Sequence, residues 1–243
     1  PSPASQAVFV PTARAFAASS KGPTGQPAGG PGAIAGRAPD GIALGQPFPL
    51  ATPAAGSILA ASEAGELFIA TPASGGGTDI EVFRVGLERF PRGVIRLPGT
   101  VRALVVDRGG TRAAALTDQG VVRFGPKDAD PSKTVSTVAP PAAREIAFGA
   151  DGTLYVLEPT RLLALEPTGP QRWSVPLVDG RRLVIAKRAI VLDGTERLLA
   201  ADSAGALDEL GAGGTVVDVA ASADGLRVAA LVDGRRAVLF TMP

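Results

Sequence analysis

The chain of 243 residues contains no histidine, no cysteine and no asparagine. Histidine is the usual general base and the commonest protein ligand for transition metals, so its absence removes the most frequent hydrolytic sites. Neither a Ser-His-Asp triad nor a Cys-His pair can be assembled from these residues. Zinc sites use histidine or cysteine in almost every case. We therefore expect no catalytic residue of the common types, no metal site and no cofactor.

Other absences limit the class of partner. No run of eighteen apolar residues occurs, so we expect no transmembrane segment. The 24 basic and 23 acidic side chains are interspersed and leave a net charge of +1, which argues against nucleic acid or an anionic membrane as the main partner. Without cysteine the fold depends on no disulfide. The bias towards Arg, Ala, Gly and Pro indicates a bacterial chain, from the cytoplasm or the cell envelope, and Pro1 leaves open a fragment of a larger protein.

A turn recurs every 36 to 45 residues, each time after a short apolar stretch. Asp-Gly, Gly-Gly and Ala-Gly pairs supply the positive φ that tight hairpin turns require. Self-similarity at this period, with up to four short strands in each unit, is typical of a β-propeller. The turn residues are Gly22, Gly65, Gly110, Gly152, Arg188 and Gly225.

The spacing predicts an all-β chain: a single propeller domain over residues 1–243, with six four-stranded blades. The first blade begins with the strand 15–19, and residues 19–45 form an irregular blade and loop rich in Gly and Pro. The last unit has three strands only (215–222, 226–232 and 236–241). We expect residues 6–10 to pair with 237–240, which closes the ring and removes two exposed sheet edges.

The repeat is also visible when the chain is aligned with itself. Residues 147–169 align with 183–205 without a gap, which places Leu154 on Ile190 and Leu163 on Leu199. Residues 146–152 align in the same way with 219–225. The alignment predicts that aligned residues occupy equivalent places in their sheets.

Two segments carry a resemblance to known propellers. Residues 154–157, followed by 163–169 and Trp173, resemble the repeat of PQQ-type (quinoprotein-like) propellers. Residues 222–229 are similar to the "SPDG" segment of WD40-like and TolB-like propellers. The chain has one tryptophan and no Trp-Asp dipeptide, so it lacks the periodic residues of either family. The resemblance implies the propeller fold, and no catalytic or cofactor-binding residue comes with it.

The candidate site is a set of arginines near the start of the innermost strands: Arg14, Arg102, Arg144 and Arg181. Side chains that ring the mouth of a central channel could hold a carboxylate or phosphate by bidentate hydrogen bonds. The alternative is that they are solvated or paired with neighbours such as Glu145 and Asp218. Aspartates at the turns could bind calcium, but aspartate before glycine is the expected turn residue, because its side chain bonds to its own backbone.

These observations favour a non-enzymatic propeller that acts as a protein–protein interaction scaffold or as a subunit of a larger assembly. The alternative is a sensor of small ligands or anions, or a weak six-bladed hydrolase that uses the central channel.

Overall fold

A computed structural model describes residues 4–10, 15–20, 33–37, 48–49, 57–84, 94–125, 136–139, 141–222 and 224–242. All regular elements in this part of the chain are β-strands, so the predicted all-β class is confirmed. Among the described residues no helix has the length and apolar character needed to cross a membrane. The chain divides into two compact units, Pro1–Val138 and Ala139–Pro243, which are described separately.

In the first unit the strands form three antiparallel four-stranded sheets, in the orders β1-β2-β3-β4, β5-β6-β7-β8 and β12-β11-β10-β9. The strands are β1 (Ala4–Val10), β2 (Ala15–Ser20), β3 (Ala33–Arg37), β4 (Phe48–Pro49), β5 (Ile58–Ala61), β6 (Glu66–Pro72), β7 (Thr78–Arg84), β8 (Val94–Leu97), β9 (Val101–Val106), β10 (Ala113–Thr117), β11 (Gly120–Phe124) and β12 (Ser136–Ala139). The first strands β1, β5 and β9 lie side by side.

The second unit contains two four-stranded sheets, β13-β14-β15-β16 and β17-β18-β19-β20, and a three-stranded sheet, β21-β22-β23. Its strands are β13 (Glu145–Phe148), β14 (Leu154–Glu158), β15 (Arg161–Leu165), β16 (Gln171–Pro176), β17 (Arg182–Ile185), β18 (Ala189–Leu192), β19 (Leu198–Ala201), β20 (Leu207–Glu209), β21 (Val216–Ala221), β22 (Arg227–Val232) and β23 (Arg236–Thr241). Here too the first strands lie against one another, β13 on β17 and β17 on β21.

The repeated turn joins the first two strands of a sheet, and its glycine has a left-handed backbone. At Gly225 φ is +70°, and the N–H donates to the carbonyl of Ser222 at 2.9 Å. Glycine adopts this conformation without the steric cost that a Cβ brings. The same left-handed glycine and backbone bond occur at Gly65, Gly110 and Gly152, which confirms the predicted turns.

The middle strands of the third and fifth sheets are buried throughout, so neither face of these strands is exposed to solvent. All residues of β10, β11, β18 and β19 are buried. In the second unit one apolar cluster joins the fourth and fifth sheets, and another joins the fifth and sixth. Apolar burial at roughly 25 cal/mol per Å² makes these interfaces the main source of stability.

The predicted pairing of residues 6–10 with 237–240 is wrong, and so is the prediction that the strand at 15–19 is the first of its blade. Residues 6–10 belong to β1, which pairs with β2, and the last sheet has three strands. A four-residue connection joins β1 to β2, so this hairpin closes a far shorter loop than pairing with residues 237–240 would. The strand at 15–19 is therefore the second of its sheet. The turn at Gly22 and most of 19–45 lie outside the described residues, and the blade count and single domain remain predictions.

The ungapped alignment is wrong by one residue in both the first and the second strand, in opposite directions. In the fourth sheet the first turn spans residues 149–153 and the second spans 159–160, whereas in the fifth they span 186–188 and 193–197. The first turn is shorter in the fifth sheet and the second turn is longer. In the third strand Leu163 is therefore equivalent to Leu199, as aligned, but in the second strand Leu154 is equivalent to Ala189. A shift of one residue moves a side chain to the opposite face of a sheet.

Replacing Gly225 with alanine should destabilise the protein by about 1–2 kcal/mol, because a left-handed backbone is unfavourable for alanine. The added Cβ would also lie 3.2 Å from the carbonyl carbon of Ala186. Gly211→Ala is the control, because its Cβ would meet nothing within 4 Å and its φ is not positive. Urea unfolding measures both variants, and equal midpoints would contradict the role of the turn.

Candidate functional site

In the second unit each first strand places a charged side chain opposite a leucine of the next strand. The three pairs are Glu145 with Leu157, Arg182 with Leu192, and Asp218 with Leu231. These pairs mark equivalent positions in the fourth, fifth and sixth sheets. Since the first strands of these sheets are adjacent, the three charges are neighbours.

Arg182 connects the two carboxylates on either side of it. Its Nη1 donates to Glu145 Oε1 at 2.9 Å, and its Nε lies 3.4 Å from Asp218 Oδ1. The second oxygen of Glu145 accepts a hydrogen bond from the backbone N–H of Leu183 at 2.6 Å. The predicted pairing of arginine with Glu145 and Asp218 therefore occurs, but the arginine is Arg182.

Two of the predicted arginines meet at one carboxylate, that of Asp179. Arg144 Nη1 donates to Asp179 Oδ1 at 2.6 Å and to the carbonyl of Gly180 at 2.9 Å. Arg181 Nε lies 3.5 Å from Asp179 Oδ2, and its Nη2 donates to the carbonyl of Gly194 at 3.2 Å. The hydrogen bond from Arg144, supported by Arg181, holds the pKa of Asp179 below its usual range. We call Arg144, Glu145, Asp179, Arg181, Arg182 and Asp218 the charge cluster.

The charge cluster balances three guanidinium groups against three carboxylates. The loop that carries Asp179 is fixed by its backbone, since Gly180 N–H donates to the carbonyl of Pro159 at 2.8 Å and Gly194 N–H to that of Val178 at 2.7 Å. The arginine side chains remain 42–50% exposed. An anion that binds here must compete with a carboxylate that is already in place.

Of the four predicted arginines, the structure brings Arg144 and Arg181 together at Asp179. Arg102 lies in the first unit, where its Nη2 donates to the carbonyl of Thr117 at 3.1 Å. Arg14 lies outside the described residues. Arg181 and Glu145 each stand seven residues before the repeated turn at Arg188 and Gly152. In the structure, however, Arg181 is equivalent to Arg144, since their backbone N–H groups donate to the carbonyls of Leu192 and Leu157 respectively. The shorter first turn of the fifth sheet causes this shift.

The turn aspartates bond to their own turns, as the alternative reading predicted. Asp151 accepts hydrogen bonds from the N–H and hydroxyl of Thr153, and Asp224 from the N–H of Leu226 and the hydroxyl of Ser222. Burial tends to raise the pKa of Asp151, but the bonds from Thr153 outweigh it and lower the pKa. The described residues contain no cluster of three or more acidic side chains placed to hold a metal ion.

Asp193 forms the most extensive of these turn networks. Its side chain is fully buried and accepts bonds from Thr195 Oγ1 at 2.7 Å and Arg197 Nη2 at 2.7 Å, besides the N–H groups of both residues. Burial alone raises the pKa of Asp193, but the bonds from Thr195 and Arg197 exceed that effect and lower it. A carboxyl so held is ionised at neutral pH and fixed in place, so it serves the turn and cannot act as a general base.

The aromatic pair of the fourth sheet is part of the packing. The Tyr155 and Trp173 ring centroids are 5.8 Å apart, and Trp173 Nε1 donates to the carbonyl of Ser203 at 3.1 Å. A Cβ at Gly205 would lie 2.9 Å from the Trp173 ring. The indole ring therefore packs against the turn between β19 and β20 of the next sheet.

Sequence reasoning missed Arg182 and Asp179. The local signal was the run Asp179-Gly180-Arg181-Arg182, in which a left-handed Asp179 (φ +50°) precedes two consecutive arginines. Consecutive strand residues point to opposite faces, so two adjacent arginines cannot make the same contact. Which of the two faces Glu145 depends on turn length.

Replacing Asp193 with asparagine should destabilise the protein, because hydrogen bonds to charged groups contribute about 1.5–3 kcal/mol. We expect a value in the lower part of this range, because Arg197 is 44% exposed and solvent screens its charge. The pKa of Asp193 is lowered in the folded protein. Its contribution to the free energy of unfolding is therefore complete above about pH 4 and disappears as the pH falls through the folded-state pKa. Urea unfolding between pH 3 and 7 measures it. Asp208→Asn, an exposed partner of Arg188, should change stability by less than about 0.5 kcal/mol. A pH-independent deficit in Asp193→Asn would contradict this assignment.

The comparisons with known proteins identify the fold. No family model matches the chain, and no curated protein matches it. The solved β-propeller domain of Cps50 (Swd1) from Myceliophteria thermophila is similar, with a TM-score of 0.64 and 13% identity, over 100% of this chain and 88% of that one. A putative 6-phosphogluconolactonase from Bacteroides uniformis has a TM-score of 0.58 and 15% identity, over 99% of this chain and 84% of that one. At such identities these likenesses show the β-propeller fold alone.

Proposed function

We propose that this protein is a non-enzymatic β-propeller that acts as an interaction platform or as a subunit of an assembly, and that it presents one face of its sixth sheet to another protein. The observation that carries the proposal is the exposure of Leu231 and Leu239 at positions that are buried in the two preceding sheets. Isolated monomers rarely expose large contiguous apolar patches, so such a face favours a partner.

Leu231 is exposed where its equivalents are not. Leu157 and Leu192, which lie opposite the corresponding charged residues, are 0% and 2% exposed, whereas Leu231 is 39% exposed. Leu157 packs in the cluster between the fourth and fifth sheets, and Leu192 in the cluster between the fifth and sixth. By this register, the face of the sixth sheet that carries Leu231 corresponds to the faces of the fourth and fifth sheets that pack against the next sheet.

The third strand repeats the pattern. Leu239 pairs with Ala229 and is 70% exposed, while its equivalents Ala164 and Ala200 are fully buried. Ala237, which lies opposite Leu231, is also exposed and completes the patch. We call Ala229, Leu231, Ala237 and Leu239 the open face. The opposite side of this sheet packs on the fifth sheet through Val228, Ala230 and Val232.

The charge cluster and the turn aspartates supply no competing active site. The charge cluster is internally paired, and the turn aspartates bond to their own turns. Every aspartate whose pKa departs clearly from its usual value is shifted downwards, namely Asp151, Asp179, Asp193, Asp202 and Asp224. A general base that works near neutral pH needs the opposite shift.

A second candidate is the anion sensor, supported by the meeting of Arg144 and Arg181 at Asp179. Two guanidinium groups within reach of one acceptor can hold a phosphate or carboxylate in bidentate fashion. In the present arrangement the carboxylate of Asp179 takes that position. This candidate therefore requires that the anion displace Asp179, whereas the platform proposal requires no rearrangement.

The double variant Leu231→Lys/Leu239→Lys tests the platform. Because both side chains already face solvent, the substitutions should change stability by less than about 1 kcal/mol in total. They should abolish stoichiometric co-purification of a partner from the native source. Val94→Lys is the matched control, because Val94 is a large apolar side chain of β8 with 48% exposure, and it should leave partner recovery unchanged.

Two results would count against the platform. A loss of several kcal/mol in the double variant would mean that the open face is covered within the folded monomer. Unchanged recovery of a stoichiometric partner would place the interaction on another surface.

Asp179→Asn tests the anion sensor, since it removes the carboxylate and leaves both arginines. We expect inorganic phosphate to leave the Tm of the native chain unchanged and to raise that of Asp179→Asn. A ligand at 100 times its Kd stabilises by about 2.7 kcal/mol, which thermal shift detects. Asp208→Asn, which releases the single Arg188, is the control. A phosphate-dependent shift in the native chain that Arg144→Ala removes would favour the sensor instead.

A further inference from the structure

The last strand of the sixth sheet lies at an edge where the other sheets of the chain have one more strand. Five sheets contain four strands, and in the four of them whose last ladder is described the fourth strand is antiparallel to the third. In the sixth sheet β23 is the third strand and pairs with β22 only. Its exposure pattern is that of the edge strand β16, whereas the third strands β11 and β19 are buried throughout.

The backbone groups at this edge follow from the ladder. Met242 N–H donates to the carbonyl of Leu226 at 2.8 Å, towards β22. Bonding alternates along an antiparallel pair, so Phe240 and Val238 also bond to β22, and Ala237, Leu239 and Thr241 direct their N–H and C=O groups outwards. In the described part of the chain no strand pairs with these groups. A row of free donors and acceptors is a template for a further strand.

The other edges of the second unit are protected, and β23 is not. β16 has a register shift at its pairing with Ala164 and Leu165 and ends in Pro176. β20 is three residues long, and two of them are Asp208 and Glu209. β23 keeps continuous register over six residues and contains four consecutive apolar residues, 237–240. Natural edges are blunted by short length, proline, bulges and charge, so an unblunted apolar edge indicates pairing.

The fourth sheet shows which side chains suit the missing strand. In β16, Trp173 lies opposite Ala164 and Val175 opposite Leu162, and both pack towards the fifth sheet. Ala164 and Leu162 are the equivalents of Leu239 and Ala237. The intervening residues of β16, Arg172 and Ser174, are polar. A strand added to β23 therefore needs two large apolar side chains at alternate positions.

We propose that the outer edge of β23 receives an extended segment of a partner protein, which adds antiparallel to it as the fourth strand of the sixth sheet. Large apolar side chains of the segment lie opposite Leu239 and Ala237 and extend the open face, with polar residues between them. Backbone hydrogen bonds supply the affinity and the two alternate side chains supply the specificity. The inference rests on the platform function and adds to it the mode of binding and the chemistry of the partner.

A peptide with the sequence of residues 170–177, labelled at its N-terminus with a fluorescent dye, is the probe, because it contains the native fourth strand β16. Fluorescence anisotropy against the full chain should give saturable binding. A second peptide, in which Trp173 exchanges places with Arg172 and Val175 with Ser174, shifts the apolar residues to the other face. It should bind at least about tenfold more weakly, which corresponds to about 1.4 kcal/mol.

Leu239→Pro tests the edge itself. Proline removes the outward N–H but is compatible with an edge strand, because that group takes no part in the bonds to β22. We expect about tenfold weaker peptide binding, with Val94→Lys unchanged as the control for exposed apolar residues. Because Leu239→Pro could disturb folding, Leu239→Lys, which keeps the backbone, is measured beside it and should also weaken binding.

Hydrogen exchange on the unmodified chain gives a test without substitution. The amides of Ala237, Leu239 and Thr241 should exchange fast and those of Val238 and Phe240 slowly. The peptide should slow the first three selectively. Slow exchange at all five amides without peptide would overturn the proposal.

The remaining outcomes separate this inference from the platform function. Equal peptide affinity for the native chain and Leu239→Pro, or no binding, overturns strand addition. If a native partner is then lost in Leu231→Lys/Leu239→Lys but retained in Leu239→Pro, the proposed platform function is supported and strand addition is not its mode of binding. A concentration-dependent dimer that Leu239→Pro abolishes assigns the edge to a second copy and overturns the proposal of a different partner.

Discussion

The structure depends on the burial of apolar residues between neighbouring sheets. Strands β18 and β19 have no solvent face, so the fifth sheet needs another sheet on each of its sides. The fifth sheet satisfies this requirement through two separate clusters, one with the fourth sheet and one with the sixth. The sixth sheet has the same two-sided composition, but its open face contains Leu231 and Leu239 at 39% and 70% exposure. The functional proposals follow from the exposure of these two leucines.

Polar groups act within this packing. The charge cluster connects the starts of the first strands, with Arg182 between Glu145 and Asp218 and with Asp179 between Arg144 and Arg181. The pairs are partly exposed, and exposed ion pairs contribute little free energy each, typically less than about 1 kcal/mol. Their geometric effect is larger, because Arg144 and Arg182 each connect the start of one first strand to the start of a neighbouring one. Side chains used in this way are poor candidates for catalysis.

The two structural neighbours illustrate how little the fold says about activity. One is described as the propeller domain of Cps50 (Swd1) and the other as a putative lactonase, yet both resemble this chain over nearly its whole length. A propeller supports either role, since function depends on the residues at a site and not on the sheets that carry them. In this chain the charged groups described at the second unit's first strands and turns are paired with one another or with their own turns.

The amino-acid sequence by itself determined the fold class, the three strands of the sixth sheet and the turns at Gly65, Gly110, Gly152 and Gly225, because these features depend on local backbone preference and apolar alternation. The tertiary structure decided the pairing of β1, the equivalence of Arg181 with Arg144, and the contacts of Arg182. Each of these depends on the length of a turn, and turn lengths of 149–153 and 186–188 produce similar local patterns while they move a side chain to the opposite face. The exposure of Leu239 was equally invisible in the sequence. Leu239 and the fully buried Ala164 occupy the same kind of apolar strand, but within the second unit a neighbouring sheet covers the Ala164 face of the fourth sheet and none covers the Leu239 face of the sixth.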